Sequence, residues 1–262
     1  MKSEALFRRF GKFVDSLAGR YITAEDVGIS PIDMTWVNME TDHVVGLPGK
    51  SGDPSPITAL GTYVGMKACA KKQFGNDSLS GKKVAVQGVG HVGEYLVKHL
   101  REENAEVYIS DIDEESLKHV SDKYGAKVVG LDEIYDIDMD IYAPCALGAT
   151  VNDDTLSRLK CSIIAGSANN QLEDEVKHGQ AVLDKGIIYA PDFALNAGGV
   201  INVYAELTDN TAEWALQKAE GIYDTIYQII ERSSNENIPA YAIANKVAEE
   251  RIEAVGKVKL SY

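Results

Sequence analysis

From Lys82 onward the chain alternates short apolar runs with amphipathic ones, and no other feature narrows its choice of fold as much. KVAVQ (83–87), EVYIS (106–110), KVV (127–129), DIYAP (140–144), SIIAG (162–166) and IIYAP (187–191) read as strands. Helical periodicity lies between them, over residues 91–103, 113–124, 152–159 and 172–185. Strand–helix alternation of this kind predicts an α/β fold with a doubly wound parallel sheet. After Asn196 no strand pattern returns, and the remainder reads as two or three long helices ending near Val255.

The first of these strands runs directly into Gly88-Val89-Gly90-His91-Val92-Gly93, a GxGxxG string that opens a helix. The three glycines serve different ends. Gly88 permits a tight turn, Gly90 the close approach of a pyrophosphate, and Gly93 close helix–strand packing. The helix N-terminus then offers N–H groups and a positive dipole end to phosphate. Asp111 ends the second strand, 23 residues after Gly88, where an acid can bond ribose hydroxyls; Ile112 follows it. Asp113, Glu114 and Glu115 add negative charge with no Arg nearby, so a 2′-phosphate is disfavoured and NAD is the expected cofactor. The sheet is therefore expected to be of the Rossmann type.

Other function classes fall away on composition. The formal net charge of −14 argues against a nucleic-acid partner, which needs clustered Lys and Arg. Cys69, Cys145 and Cys161 lie far apart with no CxxC or His-Cys cluster, so no metal site is expected. They read as small buried apolar residues in a reducing compartment. No apolar run approaches the roughly 18 residues of a membrane span, and a cytoplasmic location without membrane partners is expected.

Upstream of the sheet, residues 3–18 form an amphipathic helix carrying Leu6, Phe7, Phe10, Phe13, Val14 and Leu17, with Gly19 placed to stop it. Residues 21–23 read as a short extended segment. Ser30-Pro31-Ile32-Asp33 is a helix start, with Ser30 as N-cap and Pro31 at the first position. Residues 43–56, HVVGLPGKSGDPSP, form a Gly- and Pro-rich linker before a helix that runs to about Phe74.

At GRYITAEDVG (19–28) the chain resembles the Glu/Leu/Phe/Val dehydrogenases, most closely their leucine-specific branch. The likeness continues through SGDPSPITALG, VAVQGVGHVG, DIYAPCALGATVNDDT, IAGSANNQL and APDFALNAGGVINV, nearly the whole chain. It implies NAD-dependent, reversible oxidative deamination of an L-amino acid to its 2-oxo acid and ammonia. It also implies a division into a remnant of the α/β amino-acid-binding (catalytic) domain at 1–55 and a Rossmann domain with its entry helix at 56–200. C-terminal helices over 201–262 would pack back between the two.

By matching position, the resemblance makes Asp26 the catalytic carboxylate that assists proton transfer; on spacing alone it is a turn or cap residue. It places Thr58 near the nicotinamide carboxamide. Cys145, Ala146, Ala168 and Asn169 join the cofactor set at the carboxyl edge of the sheet. Cys145 has no base marked for it and is not expected to act as a nucleophile. Asn196 is placed at the junction of substrate and nicotinamide, with an ordinary N-cap as the alternative. Ala24, Val200 and Val203 are the implied substrate pocket. The two valines lie three residues apart on one helix face, and Val203 stands where glutamate-specific relatives have a serine that helps bind the side-chain carboxylate. Burying an unpaired carboxylate there is expensive, so a branched aliphatic substrate is expected; a plain helix-core role for both valines is the alternative.

One departure matters. The family's GGxKG string, with its catalytic lysine and a second lysine for the substrate carboxylate, has no match, and Lys2, Lys12, Lys50, Lys67, Lys71 and Lys72 lie in other contexts. The expectation is a fragment or late-start version of such an enzyme that binds NAD but is weak or inactive in catalysis alone. A non-catalytic NAD-binding module derived from the family is the other reading. Exposed sheet edge and apolar surface would favour association, including as a homo-oligomer.

Overall fold

A computed structural model describes residues 2–26, 28–48, 50 and 52–257. Gly49 and Ser51, within the predicted linker, lie outside the described residues. The chain forms two compact units: Met1–Ile57 with Gly198–Ala219, and Thr58–Ala197 with Glu220–Tyr262.

The first unit opens with α1 (Glu4–Asp15), whose N-cap Ser3 hydroxyl accepts from the Leu6 N–H at 3.3 Å. Phe7, Gly11 and Val14 form its buried face. Gly11 is needed there, since a Cβ would sit 2.7 Å from the Val37 carbonyl oxygen. The apolar stripe expected along this helix is only partly used: Leu6, Phe10, Phe13 and Leu17 are 38–64% exposed. At 100° per residue Leu6, Phe10 and Phe13 form a second stripe beside the buried one, and Leu17 lies past the helix end. Helix α2 (Pro31–Asn38) begins as expected. The Ser30 hydroxyl accepts from the Asp33 N–H, the Asp33 carboxylate accepts from the Ser30 N–H at 2.8 Å, and Pro31 occupies the first turn. That backbone bond holds the Asp33 carboxyl below its ordinary range. Phe7, Met34, Val37, Val44 and Leu47 make this unit's core. The extended segment at 21–23 contributes a single parallel bridge, Thr23 to Val44.

Helix α3 (Ser55–Phe74) leads to the sheet of the second unit, whose elements alternate as anticipated. They run β1 (Lys83–Gln87), α4 (His91–Glu102), β2 (Glu106–Ser110), α5 (Glu114–Tyr124), β3 (Lys127–Val128), β4 (Ile141–Pro144), α6 (Asp153–Arg158), β5 (Ile163–Ile164), α7 (Glu175–Asp184) and β6 (Ile188–Tyr189). All pairings are parallel, in the order β3-β2-β1-β4-β5-β6. The order reverses between β1 and β4, the switch point at which such sheets bind ligands. Gln87 pairs with both Ser110 and Pro144, so the three central strands end level. The outer strands β5 and β6 are two residues each, shorter than the apolar runs that contain them. Beyond Ile164 the backbone closes on its neighbour, leaving a Cβ on Gly166 only 2.1 Å from the Pro144 carbonyl oxygen.

The C-terminal region differs from the expectation of two or three long helices. After α8 (Asp192–Leu195) the described residues form four: α9 (Gly198–Leu207), α10 (Ala212–Glu220), α11 (Ile222–Glu236) and α12 (Ala240–Gly256). Gly221 alone separates α10 from α11, so the apolar periodicity carries across the break and hides it. No helix among the described residues is long and apolar enough to cross a membrane.

Candidate active site

Backbone bonds stitch the carboxyl ends of four strands into one edge. The Gly88 N–H donates to the Ser110 carbonyl at 2.8 Å, Cys145 N–H to the Gln87 carbonyl at 2.7 Å, and Ala168 N–H to the Pro144 carbonyl at 2.9 Å. Gly88 has φ +97°, and a Cβ there would lie 2.7 Å from both the backbone N and the Cβ of Ala146. A Cβ on Gly93 would lie 2.1 Å from the Gly88 carbonyl oxygen, so α4 rests directly on the turn. Gly90, the N-cap of α4, is the contrast: its missing Cβ faces open space within 4 Å, and no side chain caps the helix. The unpaired N–H groups of the first turn are thus left beside a gap with no Cβ, which is what a pyrophosphate requires.

Asp111 stands over this turn. One carboxylate oxygen accepts from the Val89 N–H at 2.7 Å, and the other accepts from the Asp113 N–H at 3.0 Å. Each oxygen keeps a second lone pair for a ribose hydroxyl. Ile112, 86% exposed, follows it as an apolar surface beside the edge. These residues have the chemistry that NAD requires: a cradle for the pyrophosphate and an acceptor for the ribose hydroxyls.

At the switch point Asn196 is the C-cap of α8, not the N-cap of the next helix, because α9 starts only at Gly198. Its side-chain amide donates to the Ser167 carbonyl at 3.1 Å and to the Asn169 side-chain oxygen at 2.5 Å. The structure thereby brings Asn169 and Asn196 together although they are 27 residues apart. Burial pushes the Cys145 thiol up, and the Cys69 and Cys161 thiols up to about 12, which disfavours the thiolate a nucleophile needs. Thr58 lies in the first turn of α3, nearly buried, with its carbonyl accepting from the Thr62 hydroxyl at 2.9 Å. Among the described residues no group of three His, Cys, Asp or Glu could hold a metal.

In the first unit, Ala24, Glu25 and Asp26 follow the Thr23–Val44 bridge. Asp26 opens a turn: its carbonyl accepts from the Ile29 N–H at 2.8 Å, and Gly28 has φ +77°. The Asp26 residue itself is exposed. On α9, Gly198, Asn202 and Ala205 form the buried face. Val200 and Val203 lie on the opposite side; Val200 is 70% exposed, so the helix-core reading does not hold for it. Glu206, which the sequence did not single out, has a side chain only 5% exposed. Its carboxylate accepts from the Gly46 N–H at 2.9 Å, across 160 residues. Several early lysines are committed to ion pairs: Lys2 with Asp33 at 3.4 Å, Lys12 with Glu40 at 3.7 Å, Lys67 with Glu103 at 2.8 Å and Lys72 with Glu231 at 2.7 Å.

Comparison with known proteins bears on this geometry. Residues 49–259 match the family model for Glutamate/Leucine/Phenylalanine/Valine dehydrogenase. The chain is 52% identical to a leucine dehydrogenase from Thermoactinomyces intermedius, over 100% of its own length and 72% of the relative's. A phenylalanine dehydrogenase from the same organism is 42% identical, over 98% of this chain and 72% of that one. The crystal structure of L-tryptophan dehydrogenase from Nostoc punctiforme superposes with a TM-score of 0.85 at 43% identity, covering 98% of this chain and 75% of that chain.

Proposed function

The chain belongs to the Glu/Leu/Phe/Val dehydrogenase family and is an NAD-dependent amino-acid dehydrogenase, and on that premise we propose that its substrate is a branched-chain aliphatic L-amino acid. The reaction converts amino acid, NAD⁺ and water to the 2-oxo acid, ammonium, NADH and a proton. Bound NAD supplies the hydride acceptor. The chain's own residues orient the partners. Gly88, Gly90 and the first turn of α4 hold the pyrophosphate, Asp111 the ribose, and the Asn169–Asn196 pair, with Thr58, Cys145, Ala146 and Ala168, the nicotinamide end. Asp26 assists proton transfer through its exposed carboxylate.

The observation that carries the substrate assignment is the arrangement of α9. Its core face is taken by Gly198, Asn202 and Ala205, so Val200 and Val203 present β-branched side chains away from the core. An apolar wall of this kind suits an aliphatic side chain and offers nothing to a glutamate carboxylate. Ala24, small and half-buried beside Asp26, leaves room for branching. The near relatives that act on phenylalanine and tryptophan make aromatic substrates the competing choice.

NADH formation with leucine, isoleucine, valine, phenylalanine, tryptophan and glutamate tests this; the substrates are compared with one another, because slow turnover without the GGxKG lysine would lower all six alike. The three branched residues are expected to lead in kcat/KM. A lead by an aromatic amino acid or by glutamate would overturn the assignment. Val203→Ser is expected to lower the leucine-to-glutamate ratio by about tenfold, within the range of a single pocket contact.

A further inference from the structure

We infer that Glu206 is a positioning residue that locks the helix bearing Val200 and Val203 to the segment bearing Ala24 and Asp26. Local chemistry gives this residue no reason to be where it is. It lies in the last turn of α9, where the helix dipole disfavours an anion, and its carboxylate is almost wholly buried, which opposes its charge. Tertiary partners offset both. The Gly46 N–H donates to it at 2.9 Å, and the Lys50 ammonium lies 3.9 Å from its other oxygen.

What Glu206 holds is itself tied to the candidate substrate residues. The segment through Gly46 is laced to the Asp26 segment by two backbone bonds, Thr23 N–H to the His43 carbonyl at 3.0 Å and Val45 N–H to the Thr23 carbonyl at 2.9 Å. Gly46 then takes φ +81°, and a Cβ on it would lie 3.2 Å from the Glu25 Cβ and 3.3 Å from the Glu25 backbone N. Glu25 immediately precedes Asp26. A continuous set of contacts therefore runs from α9 through Glu206 and Gly46 to Glu25. It sets the spacing between the aliphatic wall and the carboxylate, and errors of about 1 Å in such spacings are costly to rate.

The inference rests on the substrate assignment above, and its test separates the two. In Glu206→Ala the leucine KM is expected to rise about tenfold, the loss of a buried bond to a charged acceptor, while the Kd for NAD stays within about twofold of the parent. Glu206→Gln keeps an acceptor for Gly46 and is expected to recover most of the loss. The carboxylate borders a cavity of about 380 Å³ shared with Asn202 and Asn210, so shortening it enlarges an existing space and leaves the core intact. Should Glu206→Ala fail to fold, Gly46→Ala decides: it keeps the carboxylate, pushes on Glu25, and is expected to raise the leucine KM without moving NAD affinity. An unchanged leucine KM in the variant that folds, or equal losses of leucine and NAD binding, would overturn the positioning role. An unchanged amino-acid profile in Val203→Ser would instead overturn the substrate assignment beneath it.

Discussion

In the unit built on the six-stranded sheet, the candidate site lies where β1, β2 and β4 end level and backbone N–H groups are already aligned. In the other unit, the candidate residues sit on a turn, on one side of a short helix and beside a single β-bridge. In the proposed reading the first arrangement takes the cofactor through main-chain geometry, with Asp111 as its chief side-chain addition. The second takes the substrate through side chains whose spacing depends on a few long-range bonds. Cofactor binding should therefore fail through backbone substitutions, and substrate selection through side-chain ones.

Gly93→Ala is the strongest way to break that contrast. The added Cβ would meet the Gly88 carbonyl oxygen at 2.1 Å and force α4 off the turn. Overpacking of this kind costs about 3 kcal/mol, so calorimetry should find NAD affinity reduced roughly a hundredfold, at about 1.4 kcal/mol per tenfold. Affinity within about threefold of the parent would show that the main-chain cradle is not the binding determinant. Asp111→Ala follows, removing the acceptor for the Val89 and Asp113 N–H groups as well as for ribose. A loss of about tenfold in NAD affinity is expected; unchanged affinity would refute the ribose role. Ser30→Ala probes the other unit, removing the cap of α2 at a cost of about 1 kcal/mol in stability with NAD affinity untouched.

The smallest effect comes from Glu94 on α4. It accepts from Lys123 at 2.8 Å, lies 3.2 Å from a His119 ring nitrogen and accepts from the Tyr124 hydroxyl at 3.2 Å, tying α4 to α5. The Lys123 ammonium, against the opposing effect of partial burial, holds the Glu94 carboxyl below its ordinary range. A depressed carboxyl stabilises the fold above the unfolded-state value, and that contribution disappears as pH falls through the folded-state value. Glu94→Gln should therefore cost about 0.5 kcal/mol near neutrality, and the difference in thermal stability should vanish in acid. A difference that persists at low pH would point to packing in place of charge.

The two units also differ in how far their sequences disclose them. Strands 83–87 and 106–110 occur over the residues predicted, because each has an apolar middle (Val84–Val86, Val107–Ile109) and runs into a turn glycine or an acid. Strands β5 and β6 are shorter than their apolar runs, since Ala165 and Ala190 are buried without belonging to a strand. In α1 the periodicity identified a helix but not which apolar residues it would bury, a choice made where α2 packs against Phe7 and Gly11. Asn196 reads in sequence as a candidate N-cap, and that it is a C-cap depends on the four-residue α8, which propensity alone does not mark.

Local pattern was enough for the sheet, the glycine turn and the place of Asp111 over it, because a strand, a helix start and a turn of this kind are all made within about thirty consecutive residues. Tertiary structure alone decided what Glu206 does. Its bond to Gly46 spans 160 residues, and a carboxylate in the last turn of a helix reads, in sequence, as one more exposed charge.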